Sequence, residues 1–533
     1  MKTTHELRES IFRHLDGIAI VPIAAILKEK GITDYLNKFS KVTIKELSDE
    51  FKINDGYLNV VLRALASQGF LDYEVDNVKN EITISINDTT AIAFSQFHHY
   101  EEVAKTLFLT DAFTANVINS HSISILSPLF EKYKKTLQLQ PDLNTTSGQI
   151  QFQINKHIEG ILVAPLIVNL GMTGMFHKYF METSFSADEF HKEPEAFAIM
   201  LDFFTDLGWF TEKKGKYQFT EVGLFFAKRA SAYGVTVSYL PMLKNIETLL
   251  FGNPNKLRGI AVNETEIHVN REMNVWGSGG AHTTYFKVID EIIIELFNKP
   301  IAEQPKGILD MGCGNGAFLQ HIFNVIERQT LRGKILEEYP LFLVGVDYNQ
   351  VALKVTRANL IKADIWAKVI WGDIGNPDLL AQELEENYAI DLKELLNVRT
   401  FLDHNRIWSA PENFHEIISQ STGAFAHRGK LLSNNEVEAN LFEHLGKWAK
   451  YVHKFGLLLI ELHTVNPKIV AKNIGNSPAT AYDVTHGLSD QYIVEIEGFL
   501  KVAKMVGLES DPRFFQKFPD TDYATVSIHL LKG

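Results

Sequence analysis

The segment Asp310-Met311-Gly312-Cys313-Gly314-Asn315-Gly316 carries the clearest chemistry in the chain. It follows the apolar run Gly307-Ile308-Leu309 and precedes a helical pattern, Ala317 to Arg328. Glycines let a backbone turn tightly and come close to a ligand. Open α/β sheets bind ligands at the carboxyl ends of their strands. Two further acids fall where such ends are expected: Asp347 after Phe342-Leu343-Val344-Gly345-Val346, and Asp373 after Lys368-Val369-Ile370-Trp371-Gly372.

Gly312-x-Gly314-x-x-Ala317 also satisfies a loose dinucleotide pattern, and a glycine motif alone is weak. Three acids at three successive strand ends favour S-adenosylmethionine instead. Asp310 is placed to accept from the methionine ammonium, Asp347 to chelate the ribose hydroxyls and Asp373 to accept the adenine amino group. The expected cofactor residues are Asp310, Gly312, Gly314, Asn315, Gly316, Asp347, Tyr348, Gly372, Asp373 and Ile374. A nicotinamide enzyme would need a pyrophosphate cradle and more chain after the loop.

A second constellation lies further on. Asp403 and His404 follow a probable fourth strand, His463 follows a fifth, and His486 and Gln491 are expected to open a later helix. Ends of strands four and five lie beside the cofactor's methyl group. Carboxylate, imidazole and amide there suit an octahedral Fe, Mn or Mg ion held by Asp403, His463 and Gln491, with His404 as a substitute ligand. Such an ion would stabilise an enolate. On the residues alone the plainer reading is a metal-free general base, His404 or His463, or a hydrogen-bonded pocket residue. Arg406, or Arg399, is placed to clamp a substrate carboxylate or to serve in a structural ion pair. Trp276, His282 and Tyr285 precede the first strand, where a lid would close.

These residues require a positioning frame. From Lys306 onward apolar runs alternate with helical patterns, which predicts a doubly wound, mostly parallel seven-stranded sheet of the class I methyltransferase type. Tyr523 to Leu530 reads as the last strand, and Asn405 to His453 as a cap. The first half holds a weak repeat: Pro22, Gly31 and Val60–Leu71 match Pro165, Gly174 and Ile199–Phe210. Each copy reads as helices followed by a two-stranded wing. The expected domains are winged-helix-like modules over 1–100 and 101–240, then the methyltransferase core over 241–533 with its cap at about 405–453.

A winged helix can bind DNA, but Thr43 to Asp55 and Ser186 to Glu195 lack the basic face DNA requires. A net charge of −13 likewise opposes phosphate backbones. The architectural reading, dimerisation or lid, is therefore preferred over a transcriptional regulator. With one cysteine, Cys313, no internal disulfide forms. The N-terminus lacks a signal-peptide core. The longest apolar stretch, Gly17 to Leu27, falls short of the ~20 residues of a membrane span. The expectation is a cytoplasmic protein without nucleic-acid or membrane partners, with a homodimer open.

Winged-helix modules ahead of a class I domain resemble small-molecule O-methyltransferases. Asn274-Val275-Trp276-Gly277-Ser278-Gly279-Gly280-Ala281-His282 and Val398-Arg399-Thr400-Phe401-Leu402-Asp403-His404-Asn405-Arg406 resemble more closely the metal-dependent C-methyltransferase domain that opens the apratoxin and saxitoxin polyketide synthases. That resemblance runs from about residue 150. It implies metal-assisted methylation of a malonyl- or β-carbonyl-type acyl substrate, small or carrier-protein-bound, in natural-product biosynthesis. It shifts the choice between metal and base toward the metal. No fused carrier or acyltransferase-like domain is expected before the sequence ends at Gly533. The rival within enzymes is metal-free O- or N-methylation of a small metabolite.

Overall fold

The computed structural model describes residues 3–258, 267–412 and 417–533, with backbone only for 280–284. The chain forms two compact units, one of residues 1–281, 426–431 and 466–489, the other of 282–425, 432–465 and 490–533.

The first unit is built on two long apolar helices. Helix α1, Thr4–Glu29, starts from a capping box in which the Thr3 hydroxyl accepts from the Glu6 N–H and the Glu6 carboxylate accepts from Thr3 N–H. Leu15 to Leu27 are buried without a break, and a helix apolar all round belongs in a core. The stretch Gly17 to Leu27 is thus part of a longer buried helix. By length and composition alone α1 could cross a membrane, but 89% of its apolar window is buried in the fold.

Around α1 the first module adds β1 (Lys41–Thr43), α2 (Ile44–Phe51), α3 (Asp55–Ser67), β2 (Asp72–Asp76) and β3 (Glu81–Ser85). The strands form an antiparallel sheet in the order β1-β3-β2. The second module repeats the plan with α4 (Thr146–Met172), β4 (Phe185–Ser186), α5 (Pro194–Asp206), β5 (Phe210–Lys213) and β6 (Lys216–Phe219), in the order β4-β6-β5. Gly56 to Ser67 of α3 are all buried, and Arg63 is paired with Asp483.

In the second unit, β7 (Gly307–Met311), β8 (Phe342–Asp347), β9 (Lys368–Trp371), β10 (Leu395–Thr400) and β11 (Leu457–Leu462) are parallel. β12 (Glu509–Ser510) and β13 (Gln516–Phe518) both pair antiparallel with β14 (Val526–Lys532), which runs antiparallel to β11. The sheet order is β12-β14-β11-β10-β7-β8-β9. There are eight strands where seven were expected, because one edge of β14 is covered end to end by two short strands.

β7 and β11 are buried along their whole length, as strands covered on both faces must be. Register places Asp310 between Val398 and Gly345, and Asp347 opposite Trp371. The carboxyl ends of β7, β8 and β9 thus meet at one rim, and β10 and β11 extend it.

Candidate active site

The glycine loop leaves β7 with Gly312, Gly314 and Gly316 at φ of 79°, 55° and 80°, the left-handed region where a Cβ is strained. Val346 C=O accepts from the N–H groups of Gly312 and Cys313 at 2.8 and 3.0 Å, so the loop is tied to β8. The Thr356 hydroxyl donates to Gly314 C=O at 2.7 Å, and Asn359 Nδ2 to Asn315 C=O at 2.9 Å. The Asn315 side chain accepts from Ala317 N–H at 3.0 Å and so starts the following helix, Ala317–Gln329. The Cys313 thiol is buried and pushed up by that burial, which leaves it inert as a nucleophile.

Asp310 Oδ1 is buried without a hydrogen-bond partner. Burial and the neighbouring Asp347 charge push the Asp310 carboxyl up to about 8. An orphaned carboxylate facing another acid is a place for a cation, which the methionine ammonium would be. Asp347 Oδ2 accepts from Gly314 N–H at 3.0 Å and Oδ1 from Asn349 N–H at 2.8 Å. The carboxylate is thereby fixed at the rim.

Tyr348 and Trp371 form an aromatic pair with centroids 5.5 Å apart, and Trp371 Nε1 donates to Tyr348 C=O. Asp373 Oδ1 accepts from Gly375 N–H at 2.8 Å, and the Ile374 carbonyl from Trp448 Nε1 at 2.7 Å. A Cβ at Gly372 would lie 2.5 Å from Val346 Cγ1, so only glycine fits there. These residues fit an adenosyl group. Trp371 was not among those expected from sequence, although an aromatic closing a strand one residue before Gly-Asp marks it.

The acceptor half begins at Phe401, a non-glycine residue at φ 54° directly after β10. Its N–H donates to Ile460 C=O at 2.8 Å, which holds the strained turn. The chain then folds back as the single turn Asp403–Asn405.

His404 is 5% exposed. Its Nδ1 bonds the Glu461 carboxylate oxygen Oε1. Glu461 also accepts from Leu462 N–H at 2.7 Å and from Asp403 N–H at 2.9 Å. Three donors on one carboxylate hold Glu461 in place, and the imidazole turns its Nδ1 to that carboxylate. From the other side, Tyr492 N–H donates to His404 C=O at 2.7 Å. Glu461 was missed in the sequence.

The other expected residues have different duties. Asp403 Oδ1 accepts from Arg399 Nη1 at 2.5 Å and faces His444 Nε2 at 2.9 Å. Burial would raise the Asp403 carboxyl, but Arg399 and His444 outweigh it and hold the group below the usual carboxylate range. Arg399 in turn stacks over Trp448, 4.0 Å from the ring. Arg406 Nε donates to Asn440 at 2.6 Å, Nη1 to Asp403 C=O at 2.9 Å and Nη2 to Val437 C=O at 3.3 Å. Burial pulls it down to about 10. Its donors hold the fold together and do not form a substrate clamp.

His463 Nδ1 donates to Val494 C=O at 3.0 Å, and Nε2 accepts from the Ser527 hydroxyl at 2.6 Å. His529 Nε2 donates in turn to Ser527 at 2.6 Å. Burial lowers His463 to about 4, so it stays neutral with both nitrogens engaged.

Asp403 and His463, two of the three expected ligands, are thus each bonded to protein partners. Among the described residues no three His, Cys, Asp or Glu side chains gather to hold a metal. The uncommitted oxygen of Asp403, Oδ2, sits beside the Arg399 guanidinium, where a second cation is repelled. Gln491 lies in an irregular stretch before the helix Ile496–Met505, and His486 lies near the end of the helix Ala479–Gly487, so neither opens a helix.

Tyr285 packs its ring against Phe401 and Phe518 at 5.9 and 5.1 Å. Trp276 packs within the first unit against Gly171 and Gly234. The His282 side chain lies outside the described residues.

Fold, glycine loop and rim acids agree with an S-adenosylmethionine-dependent methyltransferase, the class that the family match supports. More particularly, residues 266–529 match the family of AprA MT2-like domains, 159–253 the AprA winged helix domain and 7–73 the AprA N-terminal domain. No curated protein matches the chain.

Among solved structures, an O-methyltransferase family protein from Burkholderia thailandensis is similar at 11% identity, over 69% of this chain and 94% of its own, with a TM-score of 0.41. The mitomycin 7-O-methyltransferase MmcR is similar at 11% identity, over 71% and 96%, with a TM-score of 0.42. Human N-acetylserotonin methyltransferase, solved with S-adenosylmethionine, is similar at 12% identity, over 71% and 96%, with a TM-score of 0.39.

Proposed function

We propose that the enzyme methylates an acceptor atom from which His404 removes a proton, and that this atom is the acidic carbon of a malonyl- or β-keto-type acyl substrate, free or carried on a protein, in natural-product biosynthesis. The observation that carries the base is the His404–Glu461 contact. The carbon acceptor rests on the likeness to AprA-type domains.

S-adenosylmethionine supplies a methyl group on a sulfonium sulfur, open to in-line attack. Asp310 would hold its ammonium, Asp347 its ribose and Asp373 its adenine amino group. His404 Nε2 takes the acceptor's proton, and the electrons of the broken C–H bond stay on the carbon. Glu461 stabilises the imidazolium across Nδ1. A carbon flanked by two carbonyls is acidic enough for an imidazole base, and a buried base keeps the carbanion from water. No metal enters this reading.

Incubation with S-adenosylmethionine and a malonyl or β-keto thioester should give a product heavier by one methyl, with the new carbon on the α position by NMR. His404→Gln should slow its formation strongly. An O-methyl product would replace carbon by oxygen as the acceptor. Undiminished product from His404→Gln would remove the base.

A further inference from the structure

The central helices of the first unit carry one pattern twice. α1 reads His14-Leu15-Asp16-Gly17-Ile18 with Pro22-Ile23 beyond, and α4 reads His157-Ile158-Glu159-Gly160-Ile161 with Pro165-Leu166 beyond. Histidine and glycine three apart share a helix face.

The two faces meet reciprocally. A Cβ at Gly17 would lie 2.4 Å from the carbonyl oxygen of His157, and a Cβ at Gly160 would lie 2.5 Å from that of His14. Position 17 meets 157 while 14 meets 160, so the helices cross antiparallel about a local two-fold axis. The flanking bonds repeat the exchange. His14 Nδ1 is 2.9 Å from the Tyr233 hydroxyl of the second module, and His157 Nδ1 is 2.7 Å from the Tyr100 hydroxyl of the first. Tyr100 and Tyr233 follow the wings of their own modules, which end at Ser85 and Phe219. The Nδ1 of each histidine therefore meets the other copy's tyrosine.

In an isologous dimer, residue i of one partner meets j of the other and j meets i. This crossing has that form within one chain. We propose that the second module is the dimer partner of the first: the self-complementary face that a single module would offer to a second chain is occupied internally, and the enzyme works as a monomer. The proposal stands apart from the methyl-transfer reading.

Light scattering on the full chain should give a single mass of 60.4 kDa at every concentration tested. Tyr100→Phe and Tyr233→Phe should each lower the melting temperature, because each leaves a buried imidazole nitrogen without its partner. Both should remain monomeric. Gly17→Leu, which forces the helices apart, should unfold the unit or release modules that pair between chains and double the mass. A wild-type protein that is dimeric at low concentration would overturn the proposal. So would tyrosine variants that melt like wild type.

Discussion

Asp310 and Asp347 stand at the ends of neighbouring strands, and the charge of one raises the cost of charging the other. The Asp310 carboxyl, at about 8, is largely protonated at neutral pH when no cation faces it. A bound ammonium would favour the carboxylate, so binding at pH 7 should release a proton. Affinity should rise with pH up to about 8 and then level off. Calorimetry in buffers of different ionisation enthalpy measures this directly. Binding without proton release would take Asp310 off the ammonium. Asp310→Asn should abolish the release and weaken binding by about 1.5–3 kcal/mol, the range for a hydrogen bond to a charged group.

The base should separate turnover from cofactor binding. His404→Gln should lower kcat by about 10²–10⁴-fold, the usual contribution of a positioned base. Glu461→Gln should lose a smaller factor, since the imidazole stays present but is less firmly oriented. S-adenosylmethionine affinity, measured by calorimetry, should be unchanged in both, because its expected ligands lie on other strands.

The glycine loop and the rim acids were legible because they are local. Glycines and acids sit within a few residues of strand ends that composition reveals. The acceptor half was not. His404 meets Glu461 across two short strands and a helix, and His463, which looked like the better ligand, is taken by Val494 and Ser527. The clue was present in Leu457-Leu458-Leu459-Ile460-Glu461-Leu462, where a single acid interrupts an otherwise apolar strand. A buried acid needs a partner, and only the fold shows which.

Removing divalent ions should leave turnover intact, because Asp403 and His463 are committed to protein partners. Enzyme treated with chelator and assayed with S-adenosylmethionine and acceptor should match untreated enzyme. Loss of activity that returns with Fe, Mn or Mg would restore the metal reading.

Asp403 should matter for stability more than for chemistry. Both it and Arg399 are 1% exposed, and removing one member of such a pair leaves a buried charge alone. Asp403→Asn should cost about 3–5 kcal/mol in denaturant unfolding. The sign with pH follows from the lowered carboxyl. Its contribution is complete above the unfolded value of about 3.9 and is lost as pH falls toward the still lower folded value. Wild type should therefore lose this increment on acidification, and the variant should lack it from the start.

Two identical chains that pair must accept every substitution twice, once on each side of the axis. Two copies joined in one chain are free of that constraint, and the crossing of α1 and α4 has already departed from symmetry. His157 Nε2 meets the Gln68 side chain at 3.1 Å, whereas the position matching Gln68 in the second copy is Leu207. His14 instead has Glu159 at 3.4 Å, a carboxylate that also binds Lys156. The two halves of one crossing are thus no longer alike. One imidazole is settled among neutral amides and the other in a charged cluster, so each module can now acquire a role that its twin need not share.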